Sequence, residues 1–325
     1  MGKPKVVVIG DMDKSLLNMI SKQSDLKIWD KADPIPRDML FEWLEDAEGL
    51  ISRGDVKVDD ELLSNSTNLK VIAQSSVGFD NVDVHACTKH SIPFGNTPGV
   101  LVDATADLIY GLILSSARKI HEGWQYVKDG KWDSSFNIPF GVDLYGKTLG
   151  IIGMGNIGRA VAKRATVSGM NVIYNNRNRH KENEREGAEY TSFLDLLSNS
   201  DFVLSLVPLS NQSYKLFEEE EFKKMKTTSF FINASRGGIV DTKALYSALY
   251  NNEIAYAALD VIDPEPINKD HPILSLSNVL ITPHIGSATY ETRGKMASLT
   301  IDNLIAGLNE KKLITCVNEE ANYSI

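Results

Sequence analysis

Short apolar runs rich in β-branched residues recur along the chain, at Val6–Ile9, Val71–Ala73, Leu149–Ile152, Val172–Tyr174, Phe202–Leu206, Phe230–Ile232, Ala257–Leu259 and Val279–Ile281. Helix-length segments separate them. This alternation constrains the fold more than any other feature, because repeated strand–helix–strand units build a parallel, doubly wound α/β sheet. Asn156–Ser168 and Thr242–Tyr250 place apolar residues at three- and four-residue intervals, as helices packed on a sheet do. Two longer helices are expected at Asp103–Lys119 and Thr289–Leu308, one on each side of the strand-rich centre. The turn Asn96-Thr97-Pro98-Gly99 precedes the first and Gly286-Ser287 the second. A length of 325 residues accommodates two domains. The expected division is a dinucleotide-binding domain over residues 99–288, inserted into a discontinuous substrate domain made of residues 1–98 and 289–325. The run Glu218–Glu221, followed by Lys223 and Lys224, reads as a solvated helix start rather than an acidic tail.

Composition narrows the partners. Against 34 Lys and Arg stand 43 Asp and Glu, a net charge of −9, so the chain as a whole repels nucleic-acid phosphates and anionic lipid. Neither nucleic acid nor membrane is an expected partner. The apolar stretch Leu112–Leu114 falls far below the ~18 residues of a membrane helix. Lys3 and Lys5 precede only the short run Val6–Ile9, so no signal peptide is expected, and Val6 stands where a myristoylation signal needs serine or threonine. Cys87 and Cys316 lie far apart without C-x-x-C spacing, so neither a disulfide framework nor a metal site is expected. A reducing cytoplasm fits this usage.

One turn carries a specific chemical signal. Gly153-Met154-Gly155-Asn156-Ile157-Gly158 follows the run Leu149–Ile152 and opens the helix Asn156–Ser168, satisfying G-x-G-x-x-G in its required context. Gly153 would allow the tight turn, Gly155 the approach of a pyrophosphate, and Gly158 close packing of helix on strand. A dinucleotide is the implied cofactor. NAD-selective cradles place an Asp or Glu about 20 residues on, to accept from the ribose 2′-OH. Here the second strand runs into Asn175-Asn176-Arg177-Asn178-Arg179-His180-Lys181, and the first acid is Glu182. The neutral Asn176, about 18 residues past Gly158, would not repel a 2′-phosphate, which Arg177 and Arg179 would bind by charge-assisted bonds. The expectation is NADP(H) preferred, with NAD(H) possible and Arg177 the main anchor; the plain alternative is a solvated basic turn.

Arg236, Glu265 and His284 stand near expected strand ends, where open α/β sheets collect ligands. Singly, each has an ordinary alternative: a surface ion pair, a solvated turn residue, a hydrogen-bonded structural histidine. Beside a dinucleotide cradle they make a more specific set. A nicotinamide supplies hydride but not the proton a new alkoxide needs, so reduction of a ketone requires a positioned acid. His284 is the candidate, with a nearby carboxylate to keep it protonated and Arg236 to hold and polarise an α-keto acid.

With these residues in place, the chain resembles the D-2-hydroxyacid dehydrogenase family over essentially its whole length, most closely the glyoxylate/hydroxypyruvate reductase branch. The segments that carry the resemblance are Ser76–Asp83, Asn96–Gly99, Gly153–Gly158, Asn233–Gly237, Asp260–Pro266 and Pro283–Thr289. The resemblance implies two Rossmann-like domains and NAD(P)-dependent reduction of a small 2-oxo acid (glyoxylate, hydroxypyruvate or 2-ketogluconate). It also implies a homodimer, for which the apolar residues Leu108, Ile109, Leu112 and Ile113 offer a face. It casts His284 as proton donor, Glu265 as the carboxylate that favours its protonated form, and Arg236 as the substrate-orienting cation. Val77 and Gly78 would bind the substrate carboxylate through their N–H groups, with Ser287 near the substrate. Ala234, Ser235, Asp260 and Gly286 would lie on the nicotinamide side. Where the branch often carries two tryptophans before the cradle, this chain has Trp132, then Phe136 and Phe140, and Ile262 replaces a common aromatic. Glu265 separates the chain from formate dehydrogenases, which pair the histidine with glutamine. D-Lactate or 3-phosphoglycerate remain alternative substrates, and a dinucleotide-sensing, corepressor-like binding protein is the alternative from another class.

Overall fold

The computed structural model describes residues 2–10, 12–133, 140–179, 181 and 187–321. His180, Glu182 and Phe136 lie outside them. The chain divides into two compact units, Met1–Leu101 with Thr289–Ile325, and Val102–Ala288. The first boundary falls at Leu101/Val102 rather than 98/99, because the helix that follows begins at Val102 and packs on the helix Asn156–Val167 of the second unit.

The first unit is built on β1 (Lys5–Ile9), β2 (Asp25–Trp29), β3 (Gly49–Ser52), β4 (Val71–Gln74) and β5 (Phe94–Gly95). They form one parallel sheet in the order β2-β1-β3-β4-β5, the flavodoxin-like arrangement of a doubly wound fold. Successive strand residues face opposite sides, so β1 sends Val7 and Ile9 into one core and Val6 and Val8 into the other. The second of these cores is closed by Ile301 and Leu304 of the helix Tyr290–Leu308. That helix approaches β4 so closely that a Cβ on Gly307 would lie 2.4 Å from the Val71 side chain.

The second unit carries β6 (Thr148–Ile152), β7 (Asn171–Asn175), β8 (Ala188–Tyr190), β9 (Phe202–Ser205), β10 (Phe230–Asn233), β11 (Tyr256–Leu259) and β12 (Val279–Ile281). They pair in parallel in the order β12-β11-β10-β9-β6-β7-β8. The order reverses at β6, which lies between β9 and β7; ligands bind at such switch points, outside the carboxyl ends of the strands. Because both faces of the centre are covered, β9, β10 and β11 are largely apolar and buried at every position, while the outer β8 carries the exposed Glu189.

The helix expected over Asp103–Lys119 runs over Val102–Arg118 and stops at Lys119, which has φ of 55° and starts a second helix, Ile120–Lys128. Ile109, Leu112 and Ile113 are buried and Leu108 packs against the same core. The proposed partner-facing residues are therefore intrachain core. Exposed apolar surface lies instead on the next helix, where Ile120, Trp124 and Val127 share one face at four- and three-residue spacing and no residue is buried. Trp132 and Phe140 are also exposed. Among the described residues no helix is long and apolar enough to cross a membrane.

Candidate active site

The cradle follows β6. Gly153 has φ of 101°, and a Cβ there would meet the Leu206 carbonyl group at 2.7 Å, so no other residue fits without a shift. A Cβ on Gly158 would come within 2.7 Å of the Gly153 oxygen, which sets the approach of the helix to the turn. Gly155 differs: a Cβ there meets nothing within 4 Å. It is the N-cap of the helix Asn156–Val167 and no side chain caps that helix, leaving its first-turn N–H groups for an external anion. The turn thus fits a dinucleotide pyrophosphate. Asn176 braces it from the end of β7, its Oδ1 accepting from the Met154 N–H at 2.7 Å. Arg177, Asn178 and Arg179 are exposed just beyond. Arg177 donates to Gln212 Oε1 at 3.4 Å, and the Arg179 guanidinium lies 5.6 Å from the Tyr190 ring centre.

The catalytic candidates follow β10, β11 and β12. Asn233, the last residue of β10, accepts from the Ser235 N–H and hydroxyl at 3.1 and 2.8 Å and donates to the Arg236 carbonyl at 3.0 Å. It shapes the turn that carries Ala234, Ser235 and Arg236. The half-buried Arg236 donates to the Ser235 carbonyl at 2.9 Å. The next residue, Gly237, lies against the loop after β11; a Cβ there would sit 2.2 Å from the Ile262 carbonyl carbon and oxygen.

Asp260 follows β11 and is 2% exposed. Its Oδ1 accepts from the Thr282 hydroxyl at 2.6 Å and the Ile285 N–H at 2.9 Å, and its Oδ2 from the Gly286 N–H at 2.8 Å. Its carbonyl accepts from the His284 N–H at 2.9 Å. One residue therefore holds the whole loop after β12, including the left-handed His284, φ 53°. From that loop the imidazole Nδ1 lies 2.6 Å from Glu265 Oε1. Both side chains remain nearly half exposed, at 46% and 43%. Ser287 does not cap the following helix; Thr289 does, accepting from the Thr292 N–H at 3.2 Å. Val77 and Gly78 belong to the first unit, in the loop after β4.

Sequence reading missed Asn233 and Thr282, which hold loops rather than ligands. The available signal was a polar residue closing or just following an apolar strand.

A glycine-rich turn at a switch point, with a histidine–carboxylate pair at neighbouring strand ends, defines a dinucleotide-dependent oxidoreductase. The family model for the D-isomer specific 2-hydroxyacid dehydrogenase NAD binding domain matches residues 110–286. A glyoxylate reductase of Thermococcus litoralis is 45% identical over 310 residues, 94% of this chain and 93% of its own. The crystal structure of a glyoxylate reductase from Paecilomyes thermophila superposes with a TM-score of 0.89 at 32% identity, covering 98% of this chain and 100% of that one. The NADPH-dependent glyoxylate/hydroxypyruvate reductase of Sinorhizobium meliloti, crystallised with NADP and malonate, gives 0.87 at 29% identity, with 98% of each chain covered. The chain belongs to the D-isomer specific 2-hydroxyacid dehydrogenase family, in its glyoxylate/hydroxypyruvate reductase branch.

The glycines should separate folding from binding. Gly155→Ala should leave the melting temperature unchanged and weaken dinucleotide binding, whereas Gly158→Ala should lower the melting temperature as well. Thermal denaturation and a fluorescence titration with dinucleotide check both; equal behaviour of the two variants would contradict the geometry.

Proposed function

We propose that the chain reduces glyoxylate, hydroxypyruvate or a related small 2-oxo acid such as 2-ketogluconate to the D-2-hydroxy acid, with NADPH preferred and His284 as proton donor. The observation that carries this reading is the 2.6 Å contact between His284 Nδ1 and Glu265 Oε1 in the sheet that bears the cradle. A bound nicotinamide supplies the hydride. With Nδ1 engaged by Glu265, Nε2 is the nitrogen that gives its proton to the developing alkoxide, and Glu265 holds the ring in that orientation. The planar fork of Arg236 binds and orients the 2-oxo acid. Val77 and Gly78 bind its carboxylate through N–H groups, and Ser287 stands near it. Ala234, Ser235, Asp260 and Gly286 frame the nicotinamide side, Asp260 through the loop it anchors.

His284→Ala should lower turnover by roughly 10²–10⁴-fold while dinucleotide binding survives. Glu265→Gln should lower turnover by less than His284→Ala does, because the amide oxygen can still accept from Nδ1 and hold the ring. Initial rates with glyoxylate test both, and near-normal turnover of His284→Ala would remove it as the acid.

Cofactor preference rests on the absence of an acid at the end of β7 and on the exposed Arg177. The NADP bound in the Sinorhizobium reductase supports the same choice. Arg177→Ala should weaken NADPH about 10- to 100-fold and leave NADH nearly unchanged, the scale of one hydrogen bond to a charged group. Titration of each dinucleotide against wild type and variant decides it. Equal losses would contradict the assignment.

We also propose a homodimer, with the Ile120, Trp124 and Val127 face covered by a second copy, since an exposed apolar face of this kind marks an interaction site and twofold pairs are the commonest oligomers. Sedimentation should give about twice 35.9 kDa, and Trp124→Glu should shift it toward the monomer. A wild-type mass equal to one chain would refute the dimer.

A further inference from the structure

The loop after β4 is held by an unusually dense set of buried polar groups. Gln74, the last residue of β4, is fully buried. Its amide nitrogen donates to Ser76 Oγ at 2.8 Å, to the Gly78 carbonyl at 2.9 Å and to Asn81 Oδ1 at 3.1 Å. Its amide oxygen accepts from Ser52 Oγ at 3.2 Å and from Asn81 Nδ2 at 2.9 Å. Ser76 Oγ adds a second bond to the Gly78 carbonyl at 2.6 Å. Asn96 Nδ2 donates to the Val77 carbonyl at 2.9 Å, and the Thr97 N–H to the Ser76 carbonyl at 2.9 Å.

Three successive carbonyls, of Ser76, Val77 and Gly78, are therefore tied to buried donors. In a planar trans peptide the C=O and N–H of one unit point in opposite directions. Tying those carbonyls inward turns the N–H groups of Val77, Gly78 and Phe79 away from the ties. None of the three donates to a protein acceptor among the described residues. Val77 and Gly78 are half-buried and Phe79 is exposed, so this stretch of backbone is open to solvent in part. Successive backbone N–H groups left without a protein acceptor are the raw material of an anion-binding concavity.

We propose that Gln74, Ser76 and Asn96 are positioning residues that shape a carboxylate site of three N–H groups, so that Phe79 takes part beside Val77 and Gly78. This rests on the reading that the 2-oxo acid carboxylate meets this loop. Gln74 matters most because it alone spans the ends of β3 and β4 and the Gly78 carbonyl. Replacing its amide nitrogen by a carboxylate oxygen sets negative charge against that carbonyl and releases the last peptide of the three.

The test has two arms. With dinucleotide saturating and glyoxylate varied, Gln74→Glu should raise KM about 10-fold or more, the effect of losing one well-aimed bond to a charged group, with kcat and dinucleotide affinity close to wild type. Ser76→Ala, a milder change, should raise KM in the same direction and serves if Gln74→Glu fails to fold. Folded variants with wild-type KM overturn the proposal, as does a loss confined to dinucleotide affinity. In the second arm oxamate, a 2-oxo acid mimic that is not reduced, is added to wild-type protein holding dinucleotide. Residue-resolved hydrogen exchange should slow at Val77, Gly78 and Phe79 together; slowing that omits Phe79 overturns the three-donor site. Oxamate protection without turnover of any 2-oxo acid would remove the proposed activity and leave this site standing.

Discussion

A single buried carboxylate organises the loop that carries His284 in the second unit. Asp260 lies 2% exposed with its oxygens held by Thr282, Ile285 and Gly286, while its backbone carbonyl takes the His284 N–H. A buried charge is tolerated only when its lone pairs are met, and here a loop meets them. The carboxylate gains its hydrogen bonds, and the loop is fixed in a conformation that includes a left-handed histidine. Removing the acid would leave the Ile285 and Gly286 N–H groups without their acceptor and loosen the loop that carries His284, whose own N–H bond to the Asp260 backbone would remain.

The same device recurs at other strand ends. Ser52, Gln74 and Asn233 each close an apolar strand with a buried polar group, and those of Gln74 and Asn233 reach into the turn that follows. In a parallel sheet the last carbonyls and N–H groups of each strand open toward the ligand side, and a polar residue there can direct the loop without entering the site itself. Loops after β4 and β10 are thereby tied to groups that belong to the sheets.

The strands that the sequence shows plainly include most of the central ones and one edge strand, β12. The central β3 is missed because only its Leu50 and Ile51 make an apolar run. β1, β4, β6, β9, β10 and β11 are apolar on both faces, and their runs stand out from any window of the chain. β2 and β8 are hidden because they lie at sheet edges, with exposed positions that break the pattern, as in Asp25-Leu26-Lys27-Ile28-Trp29. β5 has two residues, too few to show a period. The split of the long helix at Lys119 was illegible because lysine is an ordinary helix former and only its positive φ marks the break. Of the candidate site, Arg236, Glu265 and His284 stand out in the sequence by their chemistry. Those that shape the loops do not, since asparagine, threonine and glutamine occur everywhere and acquire meaning only through burial.

The exposure of the histidine–glutamate pair bears on how an acid in the proposed role would be recharged. Nearly half of each side chain is open to water, so an imidazole that had given up its proton would recover one directly from solvent or buffer. In that role the pair would return to its starting state as quickly as the surrounding solution supplies protons.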